Sequence, residues 1–272
     1  MSGQASSSIA LIGYGEAGRT FANAAGWEDE ACAFDVASVR RTAMEADGVR
    51  PCASVAEALK DARLVLSLVT ADGALQAARD AASLLAPGAL FCDMNSVAPD
   101  TKRAAAEAVN EGAGRYVDVA VLAPVDPARL RVPLLIAGTA AQDAHAALRD
   151  AGFADLRIVG DEIGRASSIK MIRSIMVKGI EALTAEMMIA AERAGVTDEV
   201  LASLDASEKA ISWSERAAYN LERMMTHGLR RAAEMRESAR TLEGLGIQPL
   251  MTAGTVRRQH EMAGCKPEDY SR

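Results

Sequence analysis

The sequence predicts an α/β protein in two parts: a doubly wound N-terminal sheet over residues 1–162, then an all-α domain over 163–272. Three observations predict it. Short apolar runs alternate with helical segments through the first half, the pattern of parallel strands joined by crossover helices. The first run breaks into Gly13-Tyr14-Gly15-Glu16-Ala17-Gly18, where a strand hands over to a helix. Near residue 163 the texture changes, and the rest of the chain carries three- and four-residue apolar spacing.

Taken in order, the strands are SSIALIG (7–13), ACAFDV (31–36), ARLVLSLV (62–69), GALFCDM (88–94), GRYVDVA (114–120), VPLLIAG (132–138) and ADLRIVG (154–160). Helical stretches lie between several of them. EAGRTFANAAG follows the first strand, SVAEALKDA precedes the third, GALQAARDAASLL follows it, and PDTKRAAAEAV follows the fourth. The segment SSIKMIRSIMVKGIEALTAEMMIAAERAG then runs about thirty residues without proline, longer than the usual globular helix. Further helices are expected around 198–223, 226–244 and 248–262, with Leu229, Ala232, Met235, Ala239 and Leu242 in one stripe. The tail EDYSR reads as a frayed end.

Composition narrows the function. Half of the 272 residues are apolar, enough for sizeable cores, and the formal charge of −7 repels phosphate backbones and anionic membranes. Nucleic acid and membrane are therefore excluded as partners. The opening MSGQASSS lacks a basic start and an apolar core, so a soluble cytoplasmic protein is expected. Cys32, Cys52, Cys92 and Cys265 show no C-x-x-C spacing, and His145, His227 and His260 show no metal-ligand spacing. No metal is expected.

The glycine string stands in the setting that a dinucleotide-binding (Rossmann) turn demands, after a strand and at the start of a helix. Gly13 permits the tight turn, Gly15 lets backbone approach a pyrophosphate, and Gly18 lets the helix pack near the strand. Free amides at that helix start would receive the phosphate charge. Asp35 lies at the end of the second strand, about 20 residues on, where a carboxylate accepts hydrogen bonds from an adenosine ribose. That favours NAD. Arg40 and Arg41 just beyond it are suited to a 2′-phosphate, so NADP stays open as the second form.

Four segments in order resemble the β-hydroxyacid dehydrogenase superfamily, which contains 3-hydroxyisobutyrate dehydrogenase and phosphogluconate dehydrogenase. They are GYGEAG; Asp93-Met94-Asn95-Ser96-Val97-Ala98-Pro99, similar to D-x-S-T-x-x-P; Asp118 to Pro124, similar to D-A-P-V-S-G-G; and Gly164 to Ser174, similar to G-x-G-x-x-x-K-x-x-N-N. The resemblance implies that Lys170 is the general acid/base, that Ser96 contacts substrate, and that Asn95 supports either ligand. It also implies that Val69 and Thr70 pass beneath the cofactor ribose. Helical spacing puts Ser167, Lys170 and Ser174 on one face among Met171, Ile172, Ile175 and Met176. Each of these has a plainer reading: a lysine on a solvated face, and Ser96 and Asp100 as caps of the following helix.

The departures bear on substrate. Where the family carries S-G-G, this chain has Leu122-Ala123-Pro124, so a carboxylate loses at least one amide donor. Ser174, preceded by Arg173, replaces the family asparagine four residues after the lysine. Leu122 and the methionine-rich second domain fit a larger or more apolar substrate. The stretches VDVAVLAPVDPARLRVPLLIAG and THGLRRAAEMRESARTLEGLGI resemble a branch with a phosphogluconate-dehydrogenase-like C-terminal domain. There His227, Arg230 and Arg231 either approach the site or form a solvated face. Phosphogluconate dehydrogenase itself is disfavoured, because the position of its glutamate, seven beyond the lysine, is Val177 here.

The expectation is an NAD(P)-dependent oxidoreductase interconverting an alcohol and its carbonyl form, assembled as a homodimer through the long helix. An imine reductase is the enzymatic alternative, and retention of Lys170 argues against it. A cofactor-binding protein without turnover is the alternative from another class.

Overall fold

The computed structural model describes residues 8–207 and 210–266; the first seven residues of the polar opening and the EDYSR tail lie outside the described residues. The chain divides into two compact units, one up to Arg173 and one from Ser174. The division falls inside the long helix rather than at 163. Its first turn belongs with the sheet, because Ala166 and Ile169 pack with Ala120, Leu135 and Ala137.

The first unit carries β1 (Ile9–Ile12), α1 (Glu16–Ala25), β2 (Ala31–Phe34), α2 (Arg40–Ala46), β3 (Arg50–Pro51), α3 (Val55–Leu59), β4 (Leu64–Ser67) and α4 (Ala74–Ala82). It continues through β5 (Leu90–Asp93), α5 (Pro99–Asn110), β6 (Arg115–Val121), β7 (Leu134–Ala137), α6 (Ala141–Asp150) and β8 (Leu156–Gly160) to the start of α7 (Arg165–Ala194). All seven expected strands are present. The short β3 and the helices α2 and α6 were not legible in the pattern.

The eight strands form one sheet in the order β3-β2-β1-β4-β5-β6-β7-β8. Alternate residues of each strand face opposite layers. Ile9 and Leu11 pack with Phe21, Trp27, Leu148 and Phe153, while Ala10 and Ile12 pack with Leu59, Ala78, Ala81 and Ala105. The result is a three-layer sandwich. The sheet departs from the expected parallel pattern at β7, which runs antiparallel to β6. A parallel return needs a crossover of a dozen or more residues, usually a helix, and the β6–β7 connection carries Pro124, Pro127 and Pro133 in its place.

Strand order reverses between β1 and β4, the point where a crevice opens outside the carboxyl ends of the strands. The register across that edge pairs Ile12 with Ser67, Ser67 with Asp93, and Asp93 with Asp118. Three buried polar residues thus share one rung beneath the crevice.

The second unit contains the rest of α7 with α8 (Thr197–Ser207), α9 (Trp213–Gly244) and α10 (Leu250–Met262). The expected break near 225 is absent and the helix is continuous from Trp213. Its start is fixed by a capping box: the Ser212 amide donates to Glu215 Oε2 at 3.0 Å and the Glu215 amide to Ser212 Oγ at 3.2 Å. In the expected stripe Ala232 is fully buried, but Leu229 is 62% exposed. Among the described residues, no helix is long and apolar enough to cross a membrane.

No side chain of its own caps α10, so α7 supplies the cap. Glu186 accepts from the Met251 amide at 2.8 Å, the Thr252 amide at 2.9 Å and Thr252 Oγ1 at 2.6 Å. Burial alone would raise the Glu186 carboxyl, but the bonds from Thr252 and Met251 outweigh it and hold the carboxyl below its usual range. A depressed carboxylate contributes stability above its unfolded pKa and loses it as pH falls through the folded value. Glu186→Gln should therefore cost about 2 kcal/mol in urea unfolding at pH 7. That difference should shrink on acidification below the ordinary glutamate range, and a difference constant down to pH 3 would refute this cap.

Candidate active site

The glycine turn takes its shape from contacts that leave no room for a side chain at two of its positions. Gly13 has φ +96°, and a Cβ there would meet the Leu68 carbonyl oxygen at 2.4 Å. A Cβ on Gly18 would meet the Gly13 carbonyl oxygen at 2.7 Å. At Gly15 a Cβ would meet nothing within 4 Å, because this residue faces a cavity of about 450 Å³. That open face at the start of α1 is the cradle a pyrophosphate requires. Asp35, Arg40, Val69 and Thr70 line the same cavity.

Asp35 also holds the turn. One carboxylate oxygen accepts from the Tyr14 amide at 2.7 Å and the other from the Ala37 amide at 2.8 Å. The Tyr14 side chain, from within the glycine string, is fully buried, with its hydroxyl donating to Asp47 Oδ2 at 3.0 Å. Arg19 clasps the same carboxylate through Nε at 2.7 Å and Nη2 at 3.0 Å. Burial raises the Tyr14 hydroxyl well above its ordinary pKa, with Asp47 adding to the effect, so it stays a proton donor.

A second cavity of about 430 Å³ shares Leu68 and Val69 with the first and is lined by Glu16, Ala17, Asn95, Ser96, Ala123, Pro124 and Lys170. Here Lys170 Nζ donates to Ser96 Oγ at 2.5 Å, which joins two motifs far apart in the chain. Ser96 is not a helix cap: α5 begins at Pro99 with Ala98 before it, and no side chain caps its start. Asn95 is buried beneath the cavity. Its Oδ1 accepts from the Val69 amide at 2.7 Å and its Nδ2 donates to Ser67 Oγ at 2.9 Å, so it clamps the ends of β4 and β5 together.

Sequence reasoning missed the group that underlies this floor. Lys102, on α5, is fully buried with Nζ 3.0 Å from Asp93 Oδ1 and 3.6 Å from Asp118 Oδ1. It also donates to the Asp93 carbonyl oxygen at 2.5 Å. Asp93 accepts further from the Asn95 amide at 2.9 Å and from the Tyr116 hydroxyl at 2.6 Å. Burial pushes that hydroxyl far above its ordinary pKa, with Asp93 reinforcing the shift, so Tyr116 remains a donor. Asp118 Oδ2 accepts the Gly164 and Ser167 amides, each at 3.1 Å, at the start of α7. One signal was available: Lys102 falls on the α5 face formed by Ala105, Ala106 and Val109, an apolar stripe with a charge in it.

Within the first unit, Ser167, Leu122 and Arg173 stand off the lining of this cavity. Ser167 is buried, with its hydroxyl 3.0 Å from the Gly164 carbonyl oxygen and 3.3 Å from Asp118 Oδ2, so it anchors the helix beneath the cavity. Leu122 packs with Ala120, Leu135 and Ala166 rather than facing the cavity. Arg173 donates from Nη1 to the Leu122 carbonyl oxygen at 3.1 Å and lines a different cavity with Arg103 and Arg165. Ala123 and Pro124 do line the site. Ser174, half-buried, opens the second unit. His227, Arg230 and Arg231 lie on α9 of that unit, His227 and Arg230 exposed and Arg231 half-buried.

Comparison with known proteins gives two family matches. The NAD binding domain of 6-phosphogluconate dehydrogenase matches residues 8–151, and a domain of unknown function (DUF1932) matches residues 191–262. A solved structure of a conserved hypothetical protein from Sinorhizobium meliloti 1021 is 38% identical, over 94% of this chain and 88% of that one, with a TM-score of 0.63. A conserved protein of unknown function, described as structurally similar to 3-hydroxyacid dehydrogenases, is 28% identical over 95% of this chain and 99% of that one, with a TM-score of 0.61. An imine reductase from Myxococcus stipitatus in complex with NADP+ has a TM-score of 0.77 over 93% of both chains at 16% identity, a likeness of fold alone.

The glycines separate two effects. Gly18→Ala should lower stability by about 1–3 kcal/mol through overpacking against the turn. Gly15→Ala should leave the melting temperature nearly unchanged and weaken NADH binding about tenfold or more, a loss near 1.4 kcal/mol. Fluorescence titration with NADH and thermal melts check both, and equal behaviour of the two variants would overturn the assignment.

Proposed function

We propose a specific activity from one premise: the chain belongs to the family of the NAD binding domain of 6-phosphogluconate dehydrogenase, so its N-terminal unit is an NAD-binding domain and the protein is an oxidoreductase of the dehydrogenase and reductase type. The activity is the interconversion of an alcohol and its carbonyl form. One observation carries it, the Lys170–Ser96 pair in a cavity that adjoins the glycine cradle.

A bound nicotinamide supplies or accepts the hydride. The protein's own work is the proton and the orientation. In reduction, the Lys170 ammonium donates a proton to the substrate carbonyl oxygen; in oxidation, the neutral amine removes the hydroxyl proton. Ser96, already bonded to Lys170, offers its hydroxyl to the same substrate oxygen and fixes the direction of Nζ. Half-burial of Lys170 strengthens these interactions by excluding part of the solvent.

The lining supports a substrate that is less anionic and more apolar than a small hydroxyacid. Pro124 has no amide hydrogen to offer a carboxylate, while Ala123, Val121 and Met94 add apolar wall. Asp35 supports NAD as the preferred cofactor, since a 2′-phosphate would meet a like charge; Arg40, on the same cavity, is the group through which NADP would bind. The exposed row Ile172, Met176, Ile180 and Leu183 along α7 supports a homodimer.

A screen of hydroxyacids, aryl ketones, aldehydes and cyclic imines with NADH and NADPH tests the reading. Lys170→Ala should lower kcat/KM on the carbonyl substrate by about 10²–10⁴-fold while NADH still binds. Full activity in that variant would end the mechanism, and turnover confined to imines would reassign the reaction. Asp35→Ser should move the NADH/NADPH preference toward NADPH by about tenfold, which is about 1.4 kcal/mol. An unchanged ratio would remove Asp35 as the discriminating group.

A further inference from the structure

Ser96 and Lys170 come from different elements, and neither is fixed by its own side-chain packing alone. Ser96 sits in the turn after β5 and is exposed; Lys170 sits in the second turn of α7. Their bond requires that the turn and the helix start be registered to within a few tenths of an ångström.

The same buried ammonium reaches the supports of both. On one side Lys102 Nζ lies 3.0 Å from Asp93 Oδ1, the atom that also accepts the Asn95 amide at 2.9 Å, one residue before Ser96. On the other side it lies 3.6 Å from Asp118, whose second oxygen accepts the Gly164 and Ser167 amides, one turn before Lys170. The arrangement is charged and dry. Lys102 and Asp118 side chains are fully buried and that of Asp93 is 1% exposed. One ammonium thus faces two carboxylates away from water, where like charges repel strongly unless a cation stands between them. Asp118 Oδ1 has no hydrogen-bond partner and depends on that cation. The positive end of the α7 dipole meets Asp118 from the opposite side.

We propose that Lys102 is a positioning residue for the site: from one buried point it fixes Ser96 through Asp93 and Asn95, and Lys170 through Asp118 and the first turn of α7. It touches neither cavity and takes no part in proton transfer. The inference rests on the reading of Lys170 as the acid/base group only for its kinetic consequence; its geometric content stands apart from it.

The test compares the full-length protein with Lys102→Met and with Asp118→Asn. Peptide mass spectrometry measures acylation of Lys170 by acetic anhydride at fixed pH, with exposed Lys60 as internal reference. In each folded variant, Lys170 labelling relative to Lys60 should rise about fivefold as the bond to Ser96 is lost. NADH affinity should stay within about twofold, because the glycine cradle is not involved. On a substrate found by the carbonyl screen, kcat should fall about 10²-fold with KM little changed. A folded variant whose Lys170 labels at the wild-type rate overturns the proposal. If Lys102→Met does not fold, Asp118→Asn decides, because it leaves Lys102 paired with Asp93. The labelling needs no substrate, so an empty screen would count against the alcohol–carbonyl reading without touching this one.

Discussion

One buried charge cluster sets the conditions for everything at the carboxyl edge of the sheet. Burying an ion without a partner costs several kcal/mol, on the order that would unfold a marginal domain. Lys102, Asp93 and Asp118 are tolerated in the interior because each is the others' solvent, with the Tyr116 hydroxyl and the α7 amides completing the set. Buried ion clusters often stabilise a fold no more than apolar side chains of the same volume, and what this one adds is a fixed set of partners. Apolar contacts are non-directional, whereas the Lys102 ammonium is tied at once to Asp93 and Asp118. Specification of geometry is what the proposed proton transfer would need.

Topology then turns this rigidity toward a crevice. The reversal between β1 and β4 leaves the strand ends uncovered, and the glycine turn, the Val69 strand end and the Ser96 turn all emerge there. The antiparallel β7 has a consequence at the same edge. A crossover helix would have carried the chain away behind the sheet. The proline-rich return instead brings Ala123 and Pro124 to the cavity wall, and Arg173 secures that return through the Leu122 carbonyl.

Much of this was legible in the residues. The seven strands and the glycine turn come from apolar runs and the breaks between them, while Ser96 and Lys170 are singled out only by resemblance to family motifs. What escaped did so for identifiable reasons. Helix α2 opens on two arginines and buries only Met44, and α6 reads AQDAHAALRD, with alanine at most of its inward positions. At seven residues α2 is too short for its periodicity to register, whereas α6 has an apolar face that sequence reasoning passed over. The break before α9 is written as S-x-x-E at Ser212 and Glu215, a signal outweighed by apolar spacing on both sides. Ser167 was grouped with Lys170 by helical spacing, yet one turn of rise separates a residue under Asp118 from one in the cavity. Periodicity gives the face of a helix and not the depth along it.

The buried lysine shows where such reading stops. A lysine in an alanine-rich helix is ordinarily solvated, and its place on the apolar face of α5 does not by itself say what would hold it inside. The partners that hold it inside come from the ends of two strands, and those strands are neighbours only once the sheet is formed. Asp93 and Asp118 each open a motif similar to one in dehydrogenases, which draws attention to the residues after them. Their own side chains face Lys102 and the α7 amides and line neither cavity. The motifs are therefore half support and half site. In the proposed mechanism, chemistry at Lys170 rests on the half that faces away from it: the helix start that carries the amine is held by the Asp118 carboxylate, and that carboxylate faces a second amine, that of Lys102, which lines neither cavity.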